Sequence, residues 1–242
     1  MNRIACVVAL LALSAGPVAS QQRITNGGFE SGLTGWSTFA APGSNPATGR
    51  YYLQGTDLTL PVSGNPALLP HAGIGYGVAD QTGPGAGALF QSFVLGAGAT
   101  SATLSFWMYI ANSASQTLGS GFDFTSGPNQ HARVDLLSGT PADPLALGST
   151  VLFNAFIGGN SFGWTFFTFD VSSFLAAPGA YTLRFAEVDN QGFFAHGIDD
   201  VSLMTTATTT IPEPTTLSLC AFGCVALAAL RRRRKHAYAN CG

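Results

Sequence analysis

From residue 88 onward, apolar and polar positions fall into short runs that alternate with a period of two or are continuously apolar. They cover 88–95, 102–110, 132–137, 150–157, 164–171, 180–188 and 197–204, and each is bounded by Gly, Pro, Asn or Asp. Short strands at this regular spacing predict an all-β fold, an antiparallel β-sandwich. The run 103–110 is the most informative: Leu104, Phe106, Met108 and Ile110 share one face, Ser105, Trp107 and Tyr109 the other. The aliphatic face is expected to be core. Upstream, 23–30 is expected to be a strand ending in a glycine turn. From 41 to 87 Gly and Pro dominate, which predicts loops around short strands. Helical periodicity is confined to the two ends of the chain.

Those ends are apolar segments with charged flanks. Arg3, the apolar stretch 4–13, Gly16-Pro17 and the small residues Val18-Ala19-Ser20 predict a signal peptide over 1–20, cleaved after Ser20. At the other end Pro212-Glu213-Pro214 precedes a 16-residue stretch, 215–230, and then Arg231, Arg232, Arg233, Arg234 and Lys235. The stretch is shorter than the ~20 residues a membrane-spanning helix usually needs, so it spans only marginally. The cationic block stays on the cytoplasmic side and leaves the body of the chain on the far side. All four cysteines lie in these two segments, so the exported body holds no disulfide or thiolate metal site. Between 21 and 210 there are four arginines and no lysine against eleven acidic residues, a net of −7. That balance argues against nucleic-acid or anionic-lipid binding.

The tail resembles the PEP-CTERM sorting signal of exopolysaccharide-producing Gram-negative bacteria. The resemblance covers about 25 residues and carries the three parts in order; the family's tails usually stop at the arginines, whereas here 236–242 follow. It implies exosortase, an inner-membrane transpeptidase that cuts near the Pro-Glu-Pro, as a processing partner, with transient membrane tethering through 215–230. The expected organisation is signal peptide 1–20, sandwich domain 21–204, Thr-rich linker 205–210, sorting signal 211–235 and short tail 236–242. The expected destination is the cell surface or the extracellular space.

Within the domain, a face carrying Trp107 and Tyr109 is expected to be an open concave surface on which sugar rings stack. Arg133, Asp135 and Arg184, alternating with apolar residues, are expected to hydrogen-bond sugar hydroxyls beside it; the alternative is that the aromatics are covered by a loop and Arg184 is ion-paired. Phe122-Asp123-Phe124 and Glu187-Val188-Asp189-Asn190 are weaker signals, for sugar-binding loops or strand ends. His71, His131 and His196 are expected at the surface or in loops.

Asn26-Gly27-Gly28-Phe29-Glu30 with Gly35-Trp36, and Gly197-Ile198-Asp199-Asp200-Val201-Ser202-Leu203, are similar to the opening and closing strands of galactose-binding-like jelly rolls found in carbohydrate-binding modules. That resemblance, some 20 residues long, implies a structural Ca2+ held by the Gly28 carbonyl, Glu30 and a carboxylate of Asp199 or Asp200. The alternative is that Asp199 caps backbone amides and Asp200 is solvated. No nucleophile elbow, zinc-protease motif or phosphate-binding glycine loop is present. The expected function is a non-catalytic exported protein binding exopolysaccharide of a biofilm matrix. Two alternatives stand beside it: a polysaccharide-active hydrolase or lyase using Asp135 or Arg184, and a structural or adhesive matrix protein without a small-molecule site.

Overall fold

The computed structural model describes residues 19–46, 50–119 and 121–207. Residues 1–18 of the expected signal peptide lie outside the described residues, as do Pro212, Glu213, Pro214, the apolar stretch and Arg231 to Arg234. Among the described residues no helix is long and apolar enough to cross a membrane.

Eleven strands form in chain order: β1 (Ala19–Gln22), β2 (Ser37–Ala40), β3 (Tyr51–Gln54), β4 (Tyr76–Ala79), β5 (Gly85–Leu95), β6 (Ser101–Asn112), β7 (His131–Ser138), β8 (Val151–Gly158), β9 (Phe162–Asp170), β10 (Gly179–Asp189) and β11 (Phe194–Ala207). They make two antiparallel sheets. One is six-stranded, ordered β3-β4-β11-β6-β9 with β1 on β11; the other is five-stranded, ordered β2-β5-β10-β7-β8. All seven runs expected downstream of residue 88 are strands.

The core lies between the sheets, built from alternate residues of each strand: Leu104, Phe106 and Met108 from β6, Val134 and Leu136 from β7, Leu183 and Phe185 from β10, Ile198 and Leu203 from β11. Phe106 and Phe185, from opposite sheets, meet edge-on at 5.3 Å. Fully burying one such ring contributes about 1.5–3 kcal/mol.

Three expectations are corrected. Residues 23–30 are not a strand, because Asn26 and Phe29 take left-handed φ of 52° and 57°, which break an extended run. The segment turns instead and locks onto β11. Between Asp199 and Ser202 the β11–β6 register shifts at a bulge, with Asp200 at φ 50°. There Val201 N–H, released from the ladder, donates to the Gly27 carbonyl at 2.9 Å. A Cβ on Gly27 would sit 1.9 Å from the Val201 carbonyl oxygen, so only glycine lets the two backbones meet.

The domain also does not end at 204. Thr205 to Ala207 belong to β11, paired to β1 and, through Thr205 and Thr206, to β6; Thr205 is buried and accepts from Arg23 Nε at 2.6 Å. β-branched threonines suit a strand flanked on both sides as well as they suit a linker. The expected cleavage point after Ser20 falls inside β1. Finally, His131 and His196 are not surface residues: each sits in a strand and is buried, at 1 % and 0 % exposure.

Candidate functional site

On the six-stranded sheet, register pairing puts Trp107 beside Asp199 of β11 and Phe166 of β9, and Tyr109 beside Gly197, all on the outer face. Around Trp107 and Tyr109 this face is covered rather than open. The segment 66–74 crosses it, fixed by Trp164 Nε1–H to the Leu69 carbonyl at 2.9 Å and Tyr76 Oη–H to the Leu68 carbonyl at 2.9 Å. Tyr109 is buried beneath it with Leu60, Ala67, Tyr76 and Val78. Trp107 is half-buried: His71 stacks on it at 3.7 Å and 17°, and Phe166 tilts against it at 5.4 Å. Neither aromatic offers the bare ring that stacking on a sugar needs. Gly197 makes room for this packing, since a Cβ there would lie 1.9 Å from the Tyr109 ring.

Arg133, Asp135 and Arg184 lie on the other sheet, so the expected carbohydrate-binding set is split between the two sheets. Asp135 and Arg184 are direct partners across β7 and β10, and both are fully buried. Arg184 Nη2 donates to Asp135 at 2.5 Å and its Nη1 to the Pro144 and Ala146 carbonyls at 2.8 Å. Arg133 and Asn154 donate to the same carboxylate at 2.9 and 2.7 Å. Burial pushes the Asp135 pKa up, but the Arg133 hydrogen bonds and the Arg184 charge outweigh it and hold the carboxyl below the usual range. The Phe122 ring lies 5.2 Å from the Arg184 guanidinium. This is a sealed structural ion cluster, unable to reach a substrate.

Gly28, Glu30, Asp199 and Asp200 come near one another, but each carboxylate is occupied with the segment 71–74. Glu30 accepts Ile74 N–H at 2.9 Å, Asp199 accepts Ala72 N–H at 3.2 Å and its neighbour's N–H at 2.8 Å, and Asp200 meets His71 Nδ1 at 2.8 Å. Burial pushes Asp199 up to about 6 against those amide bonds. Among the described residues no three His, Cys, Asp or Glu side chains are grouped to hold a metal ion. The donor set expected for calcium therefore fits a backbone anchor better than an ion site.

Two open concavities flank the turn from β10 to β11, at one end of the sandwich. A cleft of about 550 Å³ is lined by Ser63, Asn65, Gln81, Asp189, Asn190 and Phe193. A second, also about 550 Å³ and more apolar, is lined by Leu68, Tyr109, Asn112, Ser161, Phe162 and again Phe193. Arg50, fully buried beside the first cleft, uses all five of its N–H groups: Nε and Nη2 on Glu187, Nη2 also on Asp189, Nη1 on the Asn45 and Gly83 carbonyls. Asp80 accepts the N–H groups of Val62, Ser63 and Gln81, which fixes the loop that carries the lining residues. Sequence reasoning pointed weakly at Asp189 and Asn190 and missed Asn65, Gln81 and Phe193. The first two of those sit in the Gly- and Pro-rich region where no periodicity marks a face.

No protein-family model and no curated protein matches the chain. Among solved structures it is similar to the K3 cleaved adhesin domain of Lys-gingipain from Porphyromonas gingivalis W83, with 18 % identity, 77 % of this chain and 99 % of that one covered, and a TM-score of 0.46. TmCBM61 in complex with β-1,4-galactotriose gives 15 %, 76 % and 97 %, and 0.43. The family 11 carbohydrate-binding module from Clostridium thermocellum, in complex with a mixed-linked tetrasaccharide, gives 15 %, 78 % and 96 %, and 0.37. At these values the likeness adds nothing to what the chain's own strand order shows.

Proposed function

We propose that the chain is an exported, non-catalytic carbohydrate-binding protein that takes a glycan at the end of its sandwich. The observation that carries the reading is Phe193, which lines both the polar cleft and the apolar groove. A pyranose has a C–H face that packs on aromatic carbon and a rim of hydroxyls that needs amide and carboxylate partners. The pair of concavities supplies both side by side. Titrating purified chain with a glycan panel tests it: binding is expected, with a loss of about tenfold or more in Phe193→Ala, and unchanged binding in that variant would refute the site.

Delivery is the second part of the proposal, and the ends of the chain support it. Pro212-Glu213-Pro214, the stretch 215–230 and Arg231 to Arg234 are the features on which exosortase would act, carrying the domain outward to an extracellular polysaccharide matrix. In a host with that enzyme, the mature protein is expected to lose everything beyond about residue 214. A secreted product whose mass still includes the arginine block would refute it.

A further inference from the structure

We infer that the polar cleft selects uncharged sugars and rejects uronate-bearing ones. This rests on the glycan-binding reading above and deepens it. Gln81, only 5 % exposed, donates from Nε2 to Asp189 Oδ2 at 3.0 Å, and that bond to a carboxylate fixes which way its amide points. Its Oε1 is left with no hydrogen-bond partner. A buried carbonyl without a donor is costly, and a ligand hydroxyl is the group that would complete it.

The charges around the cleft decide which ligand that is. Asp189 lines it, and Glu187 and Asp80 are buried near it; the cation facing them, Arg50, has no N–H left to give. None of the lining side chains is basic. A sugar carboxylate arriving here would meet carboxylate oxygens and the unpaired Gln81 carbonyl, with no basic side chain in the lining to answer it, which is the arrangement that excludes a partner. A sugar hydroxyl, which can donate, is answered by the Asp189 carboxylate and the Gln81 Oε1. Asn65 on the half-exposed rim, whose side chain makes no hydrogen bond to a described residue, adds a donor and an acceptor suited to a second hydroxyl.

The test is isothermal titration of the full chain with pairs of oligosaccharides that share linkage and configuration and differ only at C6: β-1,4-mannan against β-1,4-mannuronan fragments, and β-1,4-glucan against β-1,4-glucuronan fragments. The neutral member of a pair is expected to bind at least about tenfold tighter than its acidic twin, and Gln81→Met to lower the neutral affinity about tenfold. If Gln81→Met fails to fold, Asn65→Ala on the rim takes its place, with an expected loss of about threefold. Equal or tighter binding of the acidic twin overturns the inference, as does wild-type affinity in both variants. Phe193→Ala separates the two levels. Should it abolish binding while the acidic twin is preferred, the glycan reading stands and the selectivity falls; should no glycan of either kind bind, both fall.

Discussion

His131 offers the sharpest physical test of the fold. Neither of its ring nitrogens makes a well-formed hydrogen bond, and burial pushes its pKa from 6.5 down to about 4. His196, fully buried with Nδ1 hydrogen-bonded to Tyr51 Oη at 2.9 Å, is pushed by burial to about 3. Both shifts are downward, so as pH falls below 6.5 the unfolded chain takes up protons that the folded chain refuses, and stability drops. Each histidine costs about 1.4 kcal/mol per pH unit, hence about 7 kcal/mol for the two between pH 6.5 and 4. Asp199 works the other way: raised to about 6 by burial, it binds its proton first in the folded state and restores about 3 kcal/mol over the same range. Glu187, also raised by burial, adds to that opposition. The net loss, about 4 kcal/mol at most, is a large part of the 5–15 kcal/mol of a typical domain. His131→Leu isolates one contribution without stranding a partner. Urea unfolding followed by the fluorescence of Trp36, Trp107 and Trp164 at pH 7, 6, 5 and 4.5 should show the variant gaining on the wild type by about 1.4 kcal/mol per unit below pH 6. Parallel pH profiles for the two proteins would refute the reasoning.

Other consequences are equally direct. Arg184→Leu leaves the buried Asp135 carboxylate with Arg133 and Asn154 alone and should cost about 1.5–3 kcal/mol in chemical denaturation, without changing glycan affinity at neutral pH; reduced affinity in a folded variant would return Arg184 to the binding site. Gly27→Ala forces a methyl group into the Val201 carbonyl and should destabilise by about 3 kcal/mol, whereas Gly28→Ala, 3.5 Å from the Asp200 side chain, should stay within about 1 kcal/mol. Equal melting temperatures for the two variants would contradict the backbone contact. Millimolar calcium or chelator should move the melting temperature by less than about 2 °C, because Glu30, Asp199 and Asp200 already hold segment 71–74; a calcium-dependent rise of about 5 °C or more would reinstate the ion.

Residues 88–204 were legible one strand at a time, because a period of two is a local property that survives without knowledge of neighbours. Leu104, Phe106, Met108 and Ile110 therefore went to the core as expected, and the likeness of 26–30 and 197–203 to the opening and closing strands of jelly rolls placed side by side two segments that do meet, at Gly27 and Val201. What alternation leaves open is what covers a face turned away from the core. Trp107 and Tyr109 were correctly set on the outer side, yet only the path of segment 66–74 decided that they are closed in, and that path follows from the Glu30 and Asp200 carboxylates and the Trp164 indole N–H, all more than thirty residues away. The fate of Arg184 depended on β10 meeting β7 in the register that sets it against Asp135. The clefts around Phe193 formed where 63–65, 81–84 and 189–193 converge. Strand identity was in the sequence because it is set by nearest neighbours along the chain; the site was not, because it is set by contacts between segments that only the folded backbone brings together.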